Sequence, residues 1–442
     1  MERSVKSLDW TLIFLYIVIA AFGVTNIYSV SPESGEKQLM WFGISIFVAF
    51  FVFYIRSFLW ENFAPFFYGF TMILLAGVLV LGKEINGAKA WFVFGPISFQ
   101  PVEAAKIAVG IMLATYCNST HFNSRDISSL GKALAIVVFP IFLIILQPDV
   151  GSILVFTAFI VALVREGLSG ILFIIGFYFA FLFLGTIYSD VVLVNNEVNS
   201  FLGFGAFSPE LSRNLYVILG FTILSLLLVF IFIFFLKKKD FINNQIISIK
   251  EILVILFVFF ISIGTIFITP FVKEKLPKHQ RERIMVLFEG EGKYAKTAGY
   301  NLLYAKSSIA NGEFLGQGYR QGPVTIGRFV PEQRTDYIFC TVGEEWGFVG
   351  SSILLILYAL FIGRILFLAE NMKSTFSRVY GYCIGTILLI HLIINIGMVL
   401  GLFPTVGIPL PFFSYGGSSF LAFTVQIAIF IRLKYEDNIS LI

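Results

Sequence analysis

Along this chain, apolar and polar residues alternate on the scale of whole helices. Apolar runs of about 20 residues recur, each bounded by a few charged or turn-forming residues. A helix needs about that length to cross roughly 30 Å of hydrocarbon, and only helices and closed barrels satisfy their backbone there. The two-residue alternation of a barrel is absent, so the runs predict helices. About twelve spans are predicted, roughly at 10–30, 39–55, 61–82, 100–117, 131–147, 150–164, 168–188, 215–236, 249–272, 336–362, 378–402 and 417–433.

One polar interruption is much longer than the others. It covers residues 273–335 and runs on into the span that follows. It holds a cationic cluster, HQRERI (279–284), then an acidic segment with glycines, EGEGKYAKTAGY (289–300). A Gly-rich stretch follows, NGEFLGQGYRQG (311–322), and then VPEQRTDYIFCTVGEEWGFVG (330–350). A chain that only had to sit in a bilayer would have no use for so many ionisable groups and glycines there, so this stretch is predicted to form a reaction chamber. Its GQGYRQG departs from the GxxxxGK[ST] of a nucleotide loop. The glycines are read instead as tight turns or as places where a ligand approaches the backbone closely.

Composition agrees with the pattern. Of 442 residues, 58% are hydrophobic and 13% charged, which excludes a soluble domain of this length. The net charge of +4 is modest and suggests no nucleic-acid partner; its placement says more than its size. Arg3, Lys6, Arg56, Arg125, Lys132, Arg165, Lys237, Lys238, Lys239, Arg364, Lys373, Arg378, Arg432 and Lys434 all mark one side. The positive-inside rule makes that side, and both termini, cytoplasmic, and the long interruption extracytoplasmic. The first apolar run is long and lacks a small-residue cleavage site after it, so it is read as an uncleaved first helix. Cys117, Cys340 and Cys383 suggest no disulfide frame, and His121, His279 and His391 lack zinc-ligand spacing. With no soluble appendage, residues 1–442 are taken as a single membrane domain.

Ionisable residues inside the spans are costly and mark candidate sites. Glu103 and Lys106 lie three apart, on one helix face where they can pair. Asp149, after a proline, is either a helix cap or a functional group. Asp336 is a further candidate cap. Glu344 and Glu345 are adjacent and point in different directions, so at least one should have a partner. His391 and Asn395 are read as interhelical hydrogen-bonding residues.

Six separated motifs resemble the SEDS family (shape, elongation, division and sporulation; the RodA, FtsW and SpoVE proteins), and most of all its RodA branch. They are NGAKAWFVFGPISFQPVEAAK (86–106), LQPDVGS (146–152), HQRERI (279–284), AGYNLLYAKSSIANG (298–312), VPEQRTDYIFCTVGEEWGFVG (330–350) and GLFPTVGIPLPFFSYGGSS (401–419). They keep the family's order and span most of the chain. The resemblance implies an all-α polytopic bundle in the bacterial cytoplasmic (inner) membrane. It also implies a peptidoglycan glycosyltransferase that polymerises lipid II on the outer face for cell-wall elongation, releasing undecaprenyl pyrophosphate. The implied partners are lipid II, a class B penicillin-binding transpeptidase and membrane proteins of the elongation complex. The family has ten spans, so 215–272 reads as an inserted two-helix hairpin, and 273–335 as the catalytic loop.

Such a reaction needs a carboxylate base for the attacking hydroxyl and positive charge for the departing pyrophosphate. Lys106, Arg281 and Arg283 are candidate cations, with Lys89 near them in the motif order. Glu103 can orient Lys106, and Trp91 suits a sugar face or a lipid tail. Asp149, Asp336 and Ser414 lie in the matching motifs as further substrate-binding candidates. A divalent cation, Mg or Mn, is a candidate to share the charge; its ligands are left open. This chain departs from the family at several positions. Ala90 replaces an arginine, for which Lys89 is a candidate substitute one position away, and Val102 replaces a serine. The family's catalytic aspartate, expected at 293 or 294, is missing; Lys293 and Tyr294 stand there. Glu291, and after it Glu289, are the candidates to replace it, ahead of another acid such as Asp336 or Glu332, or loss of activity. The competing readings are a non-catalytic scaffold for the transpeptidase and a lipid II flippase.

Overall fold

The computed structural model describes residues 8–168 apart from 86, 96 and 125, residues 278–439, and short pieces between (178, 182–187, 260–261, 264–265, 268–269, 271 and 275–276). The chain divides into two units, Met1–Ser169 with Tyr300–Ile442, and Gly170–Gly299.

Most of the long helices begin where a side chain or a proline relieves the unpaired N–H groups of a first turn. Asp9 accepts from Leu12 N at 2.9 Å and opens α1 (Trp10–Val30). Ser31 ends α1 through its own N–H and opens α2 (Pro32–Tyr54), whose first position is a proline. The polar stretch 31–37 is therefore the first turn of a helix, where a loop was expected. After α3 (Ser57–Leu81), Pro101 starts α4 (Pro101–Asn118), Asp126 caps α5 (Ile127–Ile145) and Asp149 caps α6 (Val150–Arg165). The second unit contributes α7 (Lys278–Glu289). The remaining helices are α8 (Tyr300–Asn311), the single turn α9 (Pro323–Ile326), α10 (Ile338–Glu370), α11 (Thr375–Val399) and α12 (Gly417–Ile439).

Among the described residues, seven helices are long and apolar enough to cross a membrane: α1, α2, α3, α5, α10, α11 and α12. Two more predicted spans are present as helices outside that set. Glu103 and Lys106 make α4 less apolar, and α6 has 16 residues. The predicted spans 215–236 and 249–272, with the hairpin they form, and most of 168–188 lie outside the described residues. The all-α expectation needs one correction. Residues between α3 and α4 form a three-stranded antiparallel sheet, β1 (Lys83–Ile85), β2 (Ala88–Phe94) and β3 (Ile97–Phe99). Alternation over stretches this short lies below what a search for 20-residue spans detects.

In the larger unit, α11 is the most enclosed of the spanning helices and α2 the least. α11 packs on α4, α6 and α10, while α12 packs on α2, and α3 on α4. Phe47, Phe50, Phe58, Phe66 and Phe70 face outward on α2 and α3, as side chains surrounded by lipid do. The two ends of this bundle differ. One end carries ion pairs: Arg364 with Asp9, Arg165 with Glu370, Arg378 with Glu166 and Arg432 with Glu436. The other end carries the sheet, the turns around 312–337 and the segment 402–416.

Candidate functional site

The sheet end is built around α4. Glu103 and Lys106 pair at 2.8 Å, as their spacing predicts, with their side chains 7% and 2% exposed. Lys106 Nζ also lies 3.3 Å from His391 Nε2 on α11 and 4.6 Å from the centre of the Phe423 ring on α12. The His391 ring meets Phe423 edge-on, and its Nδ1 lies 3.0 Å from the carbonyl of Pro409. One lysine thus gathers a carboxylate, an imidazole and an aromatic face from three helices. Glu103 Oε2 is buried with no hydrogen-bond partner among the described residues. An acceptor enclosed in that way is costly, and a polar group from a ligand would relieve it. His391 and Asn395 bond across to other elements. Asn395 Nδ2 donates to the carbonyls of Asp336 at 2.8 Å and Ile408 at 2.7 Å.

Asp149 is the cap of α6 and also ties α6 to a neighbouring helix. Its Oδ1 accepts from Ser152 N at 3.0 Å, as a cap does. Its Oδ2 accepts from Ser152 Oγ at 2.7 Å and from Gln100 Nε2 at 3.0 Å, which ties the start of α6 to the start of α4. Asp336 is not the cap of α10. Tyr337 occupies that position without a side-chain bond, and Asp336 Oδ2 would lie 3.2 Å from a Cβ placed on Gly407. Ser414 Oγ donates to the Thr335 carbonyl at 2.7 Å and accepts from Leu410 N at 2.8 Å. Its hydroxyl joins the segment before α10 to the one before α12.

Lys89 and Trp91 lie on β2, where a bulge sets the pairs Lys83 with Trp91 and Glu84 with Lys89. Ala90 between them is fully buried. Lys89 reaches back to the preceding helix. Its Nζ donates to the Val80 carbonyl at 3.2 Å, in the last turn of α3, where orphan carbonyls attract a cation.

Glu344 and Glu345 both have partners. Glu344 accepts from Val324 N (2.9 Å), Thr325 N (2.8 Å) and Thr325 Oγ1 (2.6 Å), so it caps α9 from a distant helix. Glu345 accepts from Ser29 Oγ on α1 and from Arg320 N at 3.1 Å. The glycines around them form the expected tight turns, at Gly316 and Gly318, and also meet the backbone of α10. α10 is broken at Gly347 (φ 64°, ψ −160°), and the stretch 313–318 pairs with its backbone at the break. Phe348 N donates to Glu313 O at 3.0 Å, Val349 N to Phe314 O at 3.1 Å, and Gln317 N to Glu344 O at 2.9 Å. A Cβ on Gly316 would sit 2.2 Å from Glu345 O, and one on Gly347 would sit 2.3 Å from Gly316 N. The close approach that Gly316 and Gly347 permit is between two stretches of backbone.

In the second unit, the HQRERI cluster is helical. Arg281 and Arg283 are two apart on α7 and so face different directions, which splits the predicted cationic cluster. Glu289 is the last residue of α7, and Gly290 reverses the chain with φ +85°. Lys293 Nζ returns to Glu289 Oε1 at 2.8 Å, and the Tyr294 hydroxyl donates to Glu289 Oε2. The Tyr294 phenol is pushed up to about 12, first by burial and then by the carboxylate it donates to, so it is a donor at neutral pH. The backbone carbonyl of Glu291 accepts from Tyr294 N at 3.2 Å inside this turn.

Sequence reasoning missed the part that His391 and Phe423 play at Lys106. His391 is legible as an interhelical hydrogen-bonding residue but without Lys106 as its partner, and Phe423 carries no signal that separates it from an ordinary buried aromatic in an apolar helix.

The family model for cell cycle proteins of the FtsW, RodA and SpoVE type matches residues 7–202 and 218–439. The chain belongs to this family. Among curated proteins, it is 29% identical to peptidoglycan glycosyltransferase MrdB of Escherichia coli K12, over 96% of this chain and 93% of that one. It is 28% identical to peptidoglycan glycosyltransferase RodA of Treponema pallidum, over 94% and 95%. A solved structure described as a peptidoglycan synthase complex that coordinates polymerisation and crosslinking matches with TM-score 0.64 and 26% identity, covering 98% of both chains. The rod-shape-determining protein RodA of Thermus thermophilus matches in fold with TM-score 0.56 and 23% identity, covering 97% of both chains.

Proposed function

We propose that this FtsW/RodA/SpoVE family member is a peptidoglycan glycosyltransferase that polymerises lipid II for cell-wall elongation. The observation that carries the reading is similarity over nearly the whole chain to proteins named for that activity. In the reaction, the 4-hydroxyl oxygen of a GlcNAc attacks the anomeric carbon of a MurNAc. The bond from that carbon to the undecaprenyl pyrophosphate breaks, and the pyrophosphate leaves with the electron pair. The hydroxyl proton passes to a carboxylate base.

Among the two candidates, local geometry favours Glu289 over Glu291 as that base. Lys293 and Tyr294, which occupy the positions where the family pattern has its aspartate, both turn their polar atoms onto the Glu289 carboxylate. Lys106, Arg281 and Arg283 are each a candidate cation for the pyrophosphate, and Trp91 offers a flat face for a sugar or lipid. The unpaired oxygen of Glu103 accepts from a substrate hydroxyl or amide. A divalent cation, Mg or Mn, would share the leaving group's charge if bound there.

The sheet end is extracytoplasmic in this reading. The opposite end, with its paired arginines, and both termini are cytoplasmic. A class B penicillin-binding transpeptidase crosslinks the product.

The test is polymerisation of labelled lipid II by the purified protein, alone and with its transpeptidase, with and without divalent cation. Glycan ladders that resist moenomycin are expected. Glu289→Gln should abolish them and Glu291→Gln should not; the reverse pattern would make Glu291 the base. An absence of product in every condition would favour the scaffold reading.

A further inference from the structure

We propose that Tyr294 and Lys293 are positioning residues that hold the Glu289 carboxylate in one orientation. The proposal rests on the reading of Glu289 as the base. Glu289 ends α7, where a carboxylate meets the negative end of the helix dipole. The chain offsets this locally. Gly290 turns it back, and two donors, four and five residues on, reach the two carboxylate oxygens from different sides. Thr297 N and Gly299 N both donate to the Tyr294 carbonyl, at 2.9 and 3.0 Å, which fixes the backbone that carries the phenol. A Cβ on Gly299 would lie 2.6 Å from the Glu291 carbonyl, so the turn closes only with glycine there.

The enclosure is one-sided. The Glu289 side chain is 9% exposed and that of Lys293 is 57%. Arg281 and Glu282 are the other charged groups that act on Tyr294 within this unit, and Glu282 also lies 3.9 Å from Lys278. Two fixed donors make the base ready before the substrate arrives, which is how enzymes avoid reorganising at the moment of reaction.

The test measures kcat and KM for lipid II across pH in the full-length protein and four variants: Tyr294→Phe, Lys293→Met, Lys293→Arg and Glu289→Gln. Tyr294→Phe keeps the ring and its packing, and monodisperse elution in detergent checks the fold of each variant. Tyr294→Phe and Lys293→Met should each lower kcat about tenfold, the cost of one hydrogen bond to a charged group, with KM unchanged. The acidic limb of the kcat profile should move to higher pH in both, because a carboxylate that loses a donor takes up a proton more readily. Lys293→Arg should recover most of the rate lost in Lys293→Met. If Tyr294→Phe and Lys293→Met keep wild-type kcat and pH profile while Glu289→Gln is inactive, the base stands and the positioning pair is overturned. A fall in kcat with an unmoved acidic limb would also overturn it, since a purely structural role predicts that result. Activity in Glu289→Gln would remove the base and this proposal together.

Discussion

At the scale of single residues, Lys106 shows how a buried polar group is matched inside an apolar bundle. Glu103 pairs with it at 2.8 Å, and His391 and Phe423 complete its surroundings. Breaking such a pair leaves an uncompensated charge. Lys106→Met is therefore expected to destabilise the protein by about 3–5 kcal/mol, and the double variant with Glu103→Gln by clearly less. Thermal unfolding in detergent measures both; equal losses in the single and double variants would contradict the pairing. Tyr294 gives a pH dependence of known sign. Its phenol is raised from 10.0 to about 12 in the fold, so the bond to Glu289 is complete across neutral pH and is lost as the pH rises through about 12. A tyrosinate absorbance titration of wild type minus Tyr294→Phe should show one step near that value.

At the scale of elements, α10 explains why two glycine-bearing motifs far apart in sequence belong together. The break at Gly347 frees backbone groups inside a long helix, and the 313–318 stretch supplies their partners. Glu344 and Glu345 then hold the two sides of the same loop. Gly347→Ala meets both a left-handed φ and a backbone atom at 2.3 Å, so a loss of about 2 kcal/mol or more is expected. Proteolysis within 313–329 should accelerate with it. Gly363, on the same helix, has nothing within 4 Å of an added Cβ. Gly363→Ala should be neutral or stabilise by up to about 1 kcal/mol. A similar melting-temperature drop in both variants would argue against the interlock.

At the scale of the whole molecule, the two ends of the larger unit divide the work. Ion pairs hold one end, while the other combines the sheet, the capped starts of α4 and α6, and the glycine turns. The proposed orientation has a direct test, because the three native cysteines are buried. A cysteine in place of the exposed Glu84 should react with an impermeant thiol reagent in intact cells, and one in place of Asn371 only after permeabilisation. The opposite pattern would invert the topology.

The sequence by itself determined the spans, because apolar length is a property of the chain alone: α1, α3, α4, α5, α6 and α11 start within a few residues of where the pattern puts them. It also determined the Glu103–Lys106 pair, since helical spacing fixes which side chains share a face. Tertiary structure alone decided what depends on distant partners. Lys89 capping α3, His391 at Lys106, and 313–318 filling the break in α10 join elements that local sequence does not relate. The same holds on a smaller scale at Glu289: the sequence supplied two glutamates near a missing aspartate, and only the reversal at Gly290 brought Lys293 and Tyr294 onto one of them.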